Sequence, residues 1–225
     1  ELNVGSFQLP SSTPSVIYPF SELFLAVCDH IGGGFGRAKR KYVRLQDAFA
    51  KNNQFRAVAI TCRCHADLAR SQQQLDEGIE LAELAIKAAS RSEQRDVEHL
   101  ALVTKARLLI SDGQLTDAIP ILDRALKYSR QMGLVRIEVD ANIAMSTLMT
   151  RQGDYSLAGQ YASEAVSRSI RSGLKLRKLG ALLSYAKSRK ERGSSDFSRR
   201  LLQKIVWEAE NAGYMTLAGL ATSEL

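Results

Sequence analysis

The sequence predicts an all-α chain, a right-handed solenoid of antiparallel helix pairs, and three observations point there. The composition is globular and favours helix, with 45% hydrophobic and 24% charged residues and only 4 Pro among 225, the rest rich in Ala, Leu, Arg, Lys, Glu and Gln. The chain also resembles itself at a fixed step. Gly113-Gln114-Leu115-Thr116-Asp117-Ala118 lies forty positions before Gly153-Asp154-Tyr155-Ser156-Leu157-Ala158, and both segments run on into Ala-aliphatic pairs, Ala125-Leu126 and Ala165-Val166. A fixed period decides the architecture before any local argument does. Finally, an apolar-periodic stretch of helix length precedes each turn.

Taken in order, residues 1–17 contain Pro10 and Pro14 among Ser and Thr, which predicts an extended segment leading into a helix with Pro19 in its first turn. Residues 18–213 divide into five helical hairpins. The first runs Phe20 to Ile31, turns near Gly33, and continues through Phe35, Ala38, Tyr42 and Leu45. The second runs Ala57 to Ala69, turns at Gln73, and continues through Leu75, Gly78, Ala82, Ala85 and Ile86. The third and fourth start with Ala101 to Ile110 and Ala141 to Met149 and turn at Gly113 and Gly153. The fifth starts with Leu179 to Ala186, turns at Gly193, and continues through Phe197, Leu202, Ile205 and Val206. Residues 214–225 read as a capping helix or the start of a further repeat. Ala26, Ala66, Ala106, Ser146 and Ala186 hold one equivalent place in the first helices, where a small side chain lets two antiparallel helices approach closely. Gly113 and Gly153 can take positive φ to end a helix, and Asp154 can cap the next.

These residues resemble the tetratricopeptide repeat: a small residue in the first helix, Gly near the turn, a large residue after it, then two Ala before an aliphatic. The resemblance covers roughly residues 18 to 210. The family's unit is about 34 residues and usually closes on Pro, whereas the period here is forty with no Pro at the repeat ends. The chain is similar in that respect to the longer-helix variants of cell-polarity adaptors and of the regulatory arms of some bacterial transcription activators. Such a superhelix implies a concave groove lined by first helices, in which a partner segment lies. The forty-residue register puts Arg63, Asp67 and Arg70, then Arg107 and Ser111, then Asp140, Thr147 and Arg151, then Lys187 and Lys190 on that face. The row is basic and suits carboxylates or phosphates. The Asn positions of the family's chaperone-tail clamp are missing, so an internal acidic or helical segment of a partner is the expected occupant.

The expected function is therefore a non-catalytic protein-binding module of a scaffold, adaptor or multisubunit complex. The alternative is nucleic-acid binding by the last third, where Arg168, Arg171, Lys175, Arg177, Lys178, Arg199, Arg200 and Lys204 supply much of the +7 net charge. That third has few aromatics beyond Tyr185, Phe197 and Trp207 on which single strands could stack. His30, His65 and His99 have no nucleophilic partner nearby in sequence, so no catalytic machinery and no cofactor is expected. Cys62 and Cys64 are two apart and point to different sides of a helix, which predicts reduced thiols rather than a metal site. Three cysteines without framework spacing fit a cytosolic or nuclear compartment. Gly32-Gly33-Gly34-Phe35-Gly36 lacks the Lys-Ser/Thr ending of a phosphate loop and reads as a lengthened turn. A chain opening on Glu1 reads as part of a longer protein.

Overall fold

The structure, a computed structural model, describes residues 17–225; the extended segment expected at the N-terminus falls outside the described residues, apart from Ile17, which is already helical. Eleven helices follow one another, and among the described residues there is no strand. They are α1 (Ile17–Ile31), α2 (Phe35–Lys51), α3 (Phe55–Ser71), α4 (Leu75–Arg91), α5 (Arg95–Asp112) and α6 (Leu115–Met132). Then come α7 (Val135–Gln152), α8 (Tyr155–Arg171), α9 (Lys175–Glu191), α10 (Ser195–Asn211) and α11 (Met215–Thr222). Each helix packs on its chain neighbours, and each odd-numbered helix also packs on the next odd-numbered one. That arrangement is a right-handed α-solenoid whose inner wall is made of the odd helices.

The turns share one geometry. The residue with positive φ recurs every twenty positions, at Gly33, Asn53, Gln73, Glu93, Gly113, Gly133, Gly153, Gly173, Gly193 and Gly213. At the third hairpin Gly113, with φ 88°, lets its own N–H donate to Ile110 O at 3.2 Å and the Gln114 N–H to Leu109 O at 2.9 Å. These bonds satisfy the last carbonyls of α5. The Gly32 to Gly34 turn is no longer than the others, contrary to the lengthened loop its glycines suggest, because α2 starts at Phe35 as α4 starts at Leu75. Asp154 caps α8 by accepting the Leu157 N–H at 2.9 Å.

Packing follows the small residues. Ala26, Ala66, Ala106, Ser146 and Ala186 are each fully buried, and the largest core cluster joins Ala106, Leu122, Ala125, Ile137 and Leu148 from α5, α6 and α7. A second, polar device ties the start of an odd helix to the middle or far end of its partner. Buried Glu98 accepts from Arg95 at 3.0 Å and Arg124 at 2.9 Å, and Glu138, its equivalent forty residues on, accepts from Arg168 at 3.2 Å. In the next hairpin the same pair of positions carries the opposite charges, Lys178 donating to Glu208 at 2.8 Å.

The solenoid completes one superhelical turn and meets itself. The Thr216 hydroxyl of α11 donates to the His30 carbonyl of α1 at 2.6 Å, and Met215 sits over Gly33. The concave face is thus folded around a central cavity.

Candidate functional site

The cavity encloses about 320 Å³ and is lined by α1, α3, α5, α7, α9 and α11, with Tyr42 from α2. Of the residues expected on the concave face, Arg63, Asp67, Arg70, Arg107 and Asp140 line it. Thr147, Arg151, Lys187 and Lys190 do not, because the last lining residue slides back along successive helices: Ser71 on α3, Arg107 on α5, Ile143 on α7 and Gly180 on α9. A uniform register assumes the same helical turn faces the axis in every repeat, whereas here the pitch carries the inner surface about one turn towards the N-terminus per repeat. Thr147 and Arg151 are exposed beyond it, Arg151 donating to Ser111 O at 3.4 Å. Lys187 pairs with Glu224 at 2.6 Å, and Lys190 donates to the Glu224 carbonyl at 2.6 Å.

Two lining cations, Arg136 and Arg177, are additional to that row. They stand in the first turns of α7 and α9, where the slipped register would have found them. Five arginines then share the cavity with two aspartates. Asp67 takes three of them: Arg63 at 3.3 Å, Arg107 at 3.3 Å and Arg70 at 3.8 Å, with the Thr104 hydroxyl at 3.5 Å. Burial resists ionisation of Asp67, but Arg107, Arg70 and Arg63 outweigh it and hold the carboxyl below its ordinary range. Asp140 is taken by Arg177 at 2.9 Å. The imbalance shows on Arg70, pushed down to about 10 by the neighbouring Arg107 and by burial. His30, which donates to or accepts from Ser71 Oγ at 3.3 Å, is driven towards its neutral form by burial first.

The two thiols of α3 lie in different surroundings. Cys62 packs among Ala85 and Ala101 and accepts from Gln46 at 3.4 Å, and burial raises its pKa to about 11. Cys64 borders the cavity and accepts from Arg63 at 3.3 Å, its thiol also pushed up by burial. Both are protonated and unreactive near neutral pH. Among the described residues no group of three His, Cys, Asp or Glu has the proximity to hold a metal, and no helix is long and apolar enough to cross a membrane. Of the basic last third, Arg168, Arg177, Lys178 and Lys187 are in ion pairs within the chain, while Arg199 and Arg200 are exposed on α10.

No protein-family model matches the chain, and no curated protein matches it. Solved structures do. A Podosopora anserina protein described as a putative kinesin light chain with nearly identical TPR-like repeats is 14% identical, with a TM-score of 0.55 over 86% of this chain and 95% of that one. A point-substituted form of that protein matches with the same TM-score and identity over 84% of this chain and 92% of the other. The chain therefore has a TPR-like repeat fold, and at 14% identity the likeness is one of fold.

Proposed function

We propose that the chain is a non-catalytic protein-interaction module of a scaffold, adaptor or multisubunit complex, and that it takes an acidic partner segment on the basic inner surface of the solenoid. The observation that carries this reading is the excess of cations on the odd helices: five arginines against two aspartates around the cavity, with Arg151, Lys187 and Lys190 beyond its edge. Glu224, seated on Lys187, is the kind of group those outer cations accept. Arg can grip a carboxylate with two parallel hydrogen bonds, and Lys adds a point charge. A 320 Å³ cavity is too small for a helix, so a partner segment would lie along Thr147, Arg151 and Lys190 and send single acidic side chains inward. TPR-like scaffolds serve binding, and a cytosolic or nuclear setting agrees with reduced thiols.

The test is capture of partners from extract, with and without nuclease and at two salt concentrations. Arg151→Glu combined with Lys190→Glu should weaken capture by about tenfold, on the order of 1.4 kcal/mol, with an unchanged melting temperature, because exposed charges contribute little to folding. Dependence on Arg199 and Arg200 instead would move the partner to the outer wall. Loss of capture after nuclease would replace the reading with nucleic-acid binding through the basic last third.

A further inference from the structure

We infer that the central cavity is a binding site for a small organic anion, a carboxylate or phosphate monoester carried on a compact apolar body, gripped by Arg70, Arg107 and Arg136. Charge, unsatisfied donors and shape each point to such a ligand.

The charge is uncompensated. Asp67 is divided among Arg63, Arg70 and Arg107, and Asp140 is engaged by Arg177. Arg136 has no carboxylate within ion-pair distance among the described residues. Guanidiniums gathered in a partly desolvated space repel one another unless an anion joins them, and Arg70, lowered first by Arg107, registers that repulsion.

Two donors on the cavity wall also lack acceptors. The Tyr42 hydroxyl and the Arg70 Nε are both buried without a hydrogen-bond partner, the Asp67 oxygen nearest to Arg70 Nε standing at 3.8 Å, and both residues line the cavity. A buried donor left unpaired costs roughly 1–3 kcal/mol, which a ligand bringing an acceptor would relieve. A carboxylate or phosphate supplies several acceptor lone pairs at once.

The rest of the wall is apolar. Val27, Ile31, Leu100, Leu176, Leu217 and Leu220 face the same space, so a fully hydrated inorganic ion would leave most of it unfilled. Gly180 keeps the α9 side open: a Cβ there would stand 3.8 Å from Ile143 Cδ1, and a larger side chain would enter the cavity. The volume of about 320 Å³ lies at the lower end of the roughly 300–1,000 Å³ that holds small organic ligands. This site is independent of the partner surface along Thr147, Arg151 and Lys190, and it stands if that surface fails.

The experiment is isothermal titration of the whole chain with four probes: phenyl phosphate, hexanoate, inorganic phosphate and 1-hexanol. The expected result is saturable binding of a single phenyl phosphate or hexanoate per chain, with inorganic phosphate and hexanol each weaker by about tenfold or more. The stronger of the first two distinguishes a phosphate site from a carboxylate site. Arg136→Gln, at an exposed position, should weaken binding by about tenfold, and Gly180→Leu should abolish it by filling the cavity. Arg151→Glu with Lys190→Glu should leave it unchanged. The proposal is overturned if neither organic anion binds, if inorganic phosphate binds as well as phenyl phosphate, or if Arg136→Gln binds like the parent. Should Gly180→Leu fail to fold, Arg136→Gln and the four probes still decide.

Discussion

Asp67 is the residue on which the inner wall depends, because it separates three arginines that would otherwise face one another. Asp67→Asn should lower stability by roughly 3–5 kcal/mol, since removing one partner of a buried ion network strands the others. The pH dependence follows from the sign of each shift. The Asp67 carboxyl titrates below its ordinary 3.8 in the folded chain, so its contribution is complete above the unfolded value and is lost as pH falls through the folded one. His30, His65 and His99 are all shifted below 6.5, with burial the first cause in each. Their neutral forms belong to the fold while the unfolded chain takes up protons near 6.5, so stability begins to fall as pH drops below that value. Thermal melts from pH 8 to pH 3 should therefore show a decline starting near pH 6.5 and a second below about pH 4, the second smaller in Asp67→Asn because Asp29 and Glu83, whose carboxyls are also held low by Lys and Arg partners, keep their part of it. A profile flat between pH 7 and pH 5 would remove the histidine part. Arg63, Arg70 and Arg107 could be placed from sequence because charges at helical spacing mark a face. Arg136 and Arg177 could not be assigned to the cavity, because which turn of a helix meets the axis depends on superhelical pitch, and no single repeat encodes the pitch.

Helices and turns were the most legible level. Forty-residue self-similarity places Gly33, Gln73, Gly113, Gly153 and Gly193, and all five take positive φ. The turns between hairpins have the same geometry at a spacing of twenty; Gly133, Gly173 and Gly213 were visible in the sequence as its signal, while Asn53 and Glu93 disguise it. The carboxylate clamps were less legible, since a buried Glu looks like any surface Glu until its arginines arrive from a helix 26 or 30 residues away. The reversed pair Lys178 and Glu208 implies that geometry, rather than the direction of charge, is what the hairpin requires. Arg168→Glu alone should destabilise, because the new carboxylate meets Glu138 and Glu164, both now contacted by Arg168. Adding Glu138→Lys should restore much of the loss, with a coupling of roughly 1–3 kcal/mol in a double-mutant cycle read by urea unfolding. Recovery stays short of complete, as Arg130, 3.5 Å from Glu138, would face the new ammonium. Additive losses would show that the two positions do not act as a clamp.

At the scale of the whole molecule, a repeat array draws its stability from each unit and its neighbours, and the contact between α1 and α11 is the exception. It joins residues 186 positions apart through one hydrogen bond, Thr216 to the His30 carbonyl, with Met215 over Gly33. No periodicity in a sequence can announce such a contact, because it arises only once successive repeats have rotated through a full turn. It also borders the cavity, since His30 and Ile31 line one side of the seam and Thr216, Leu217 and Leu220 the other. A closure this slight should open without unfolding any hairpin. Thr216→Val keeps the shape of the side chain and removes the donor, at a cost of about 1 kcal/mol, or about fivefold in the ratio of closed to open rings. Hydrogen exchange should then quicken in α1 and the Gly32 to Gly34 turn while α5, α6 and α7, which share the largest core cluster, keep their protection. If a small anion bridges the cavity as inferred above, saturating phenyl phosphate should slow exchange at that seam in both forms, because a ligand that contacts both sides favours the closed ring by its binding free energy. Exchange in α1 that is indifferent to Thr216→Val would show that the ring is held elsewhere along α1 and α11, and that this hydroxyl is not its latch.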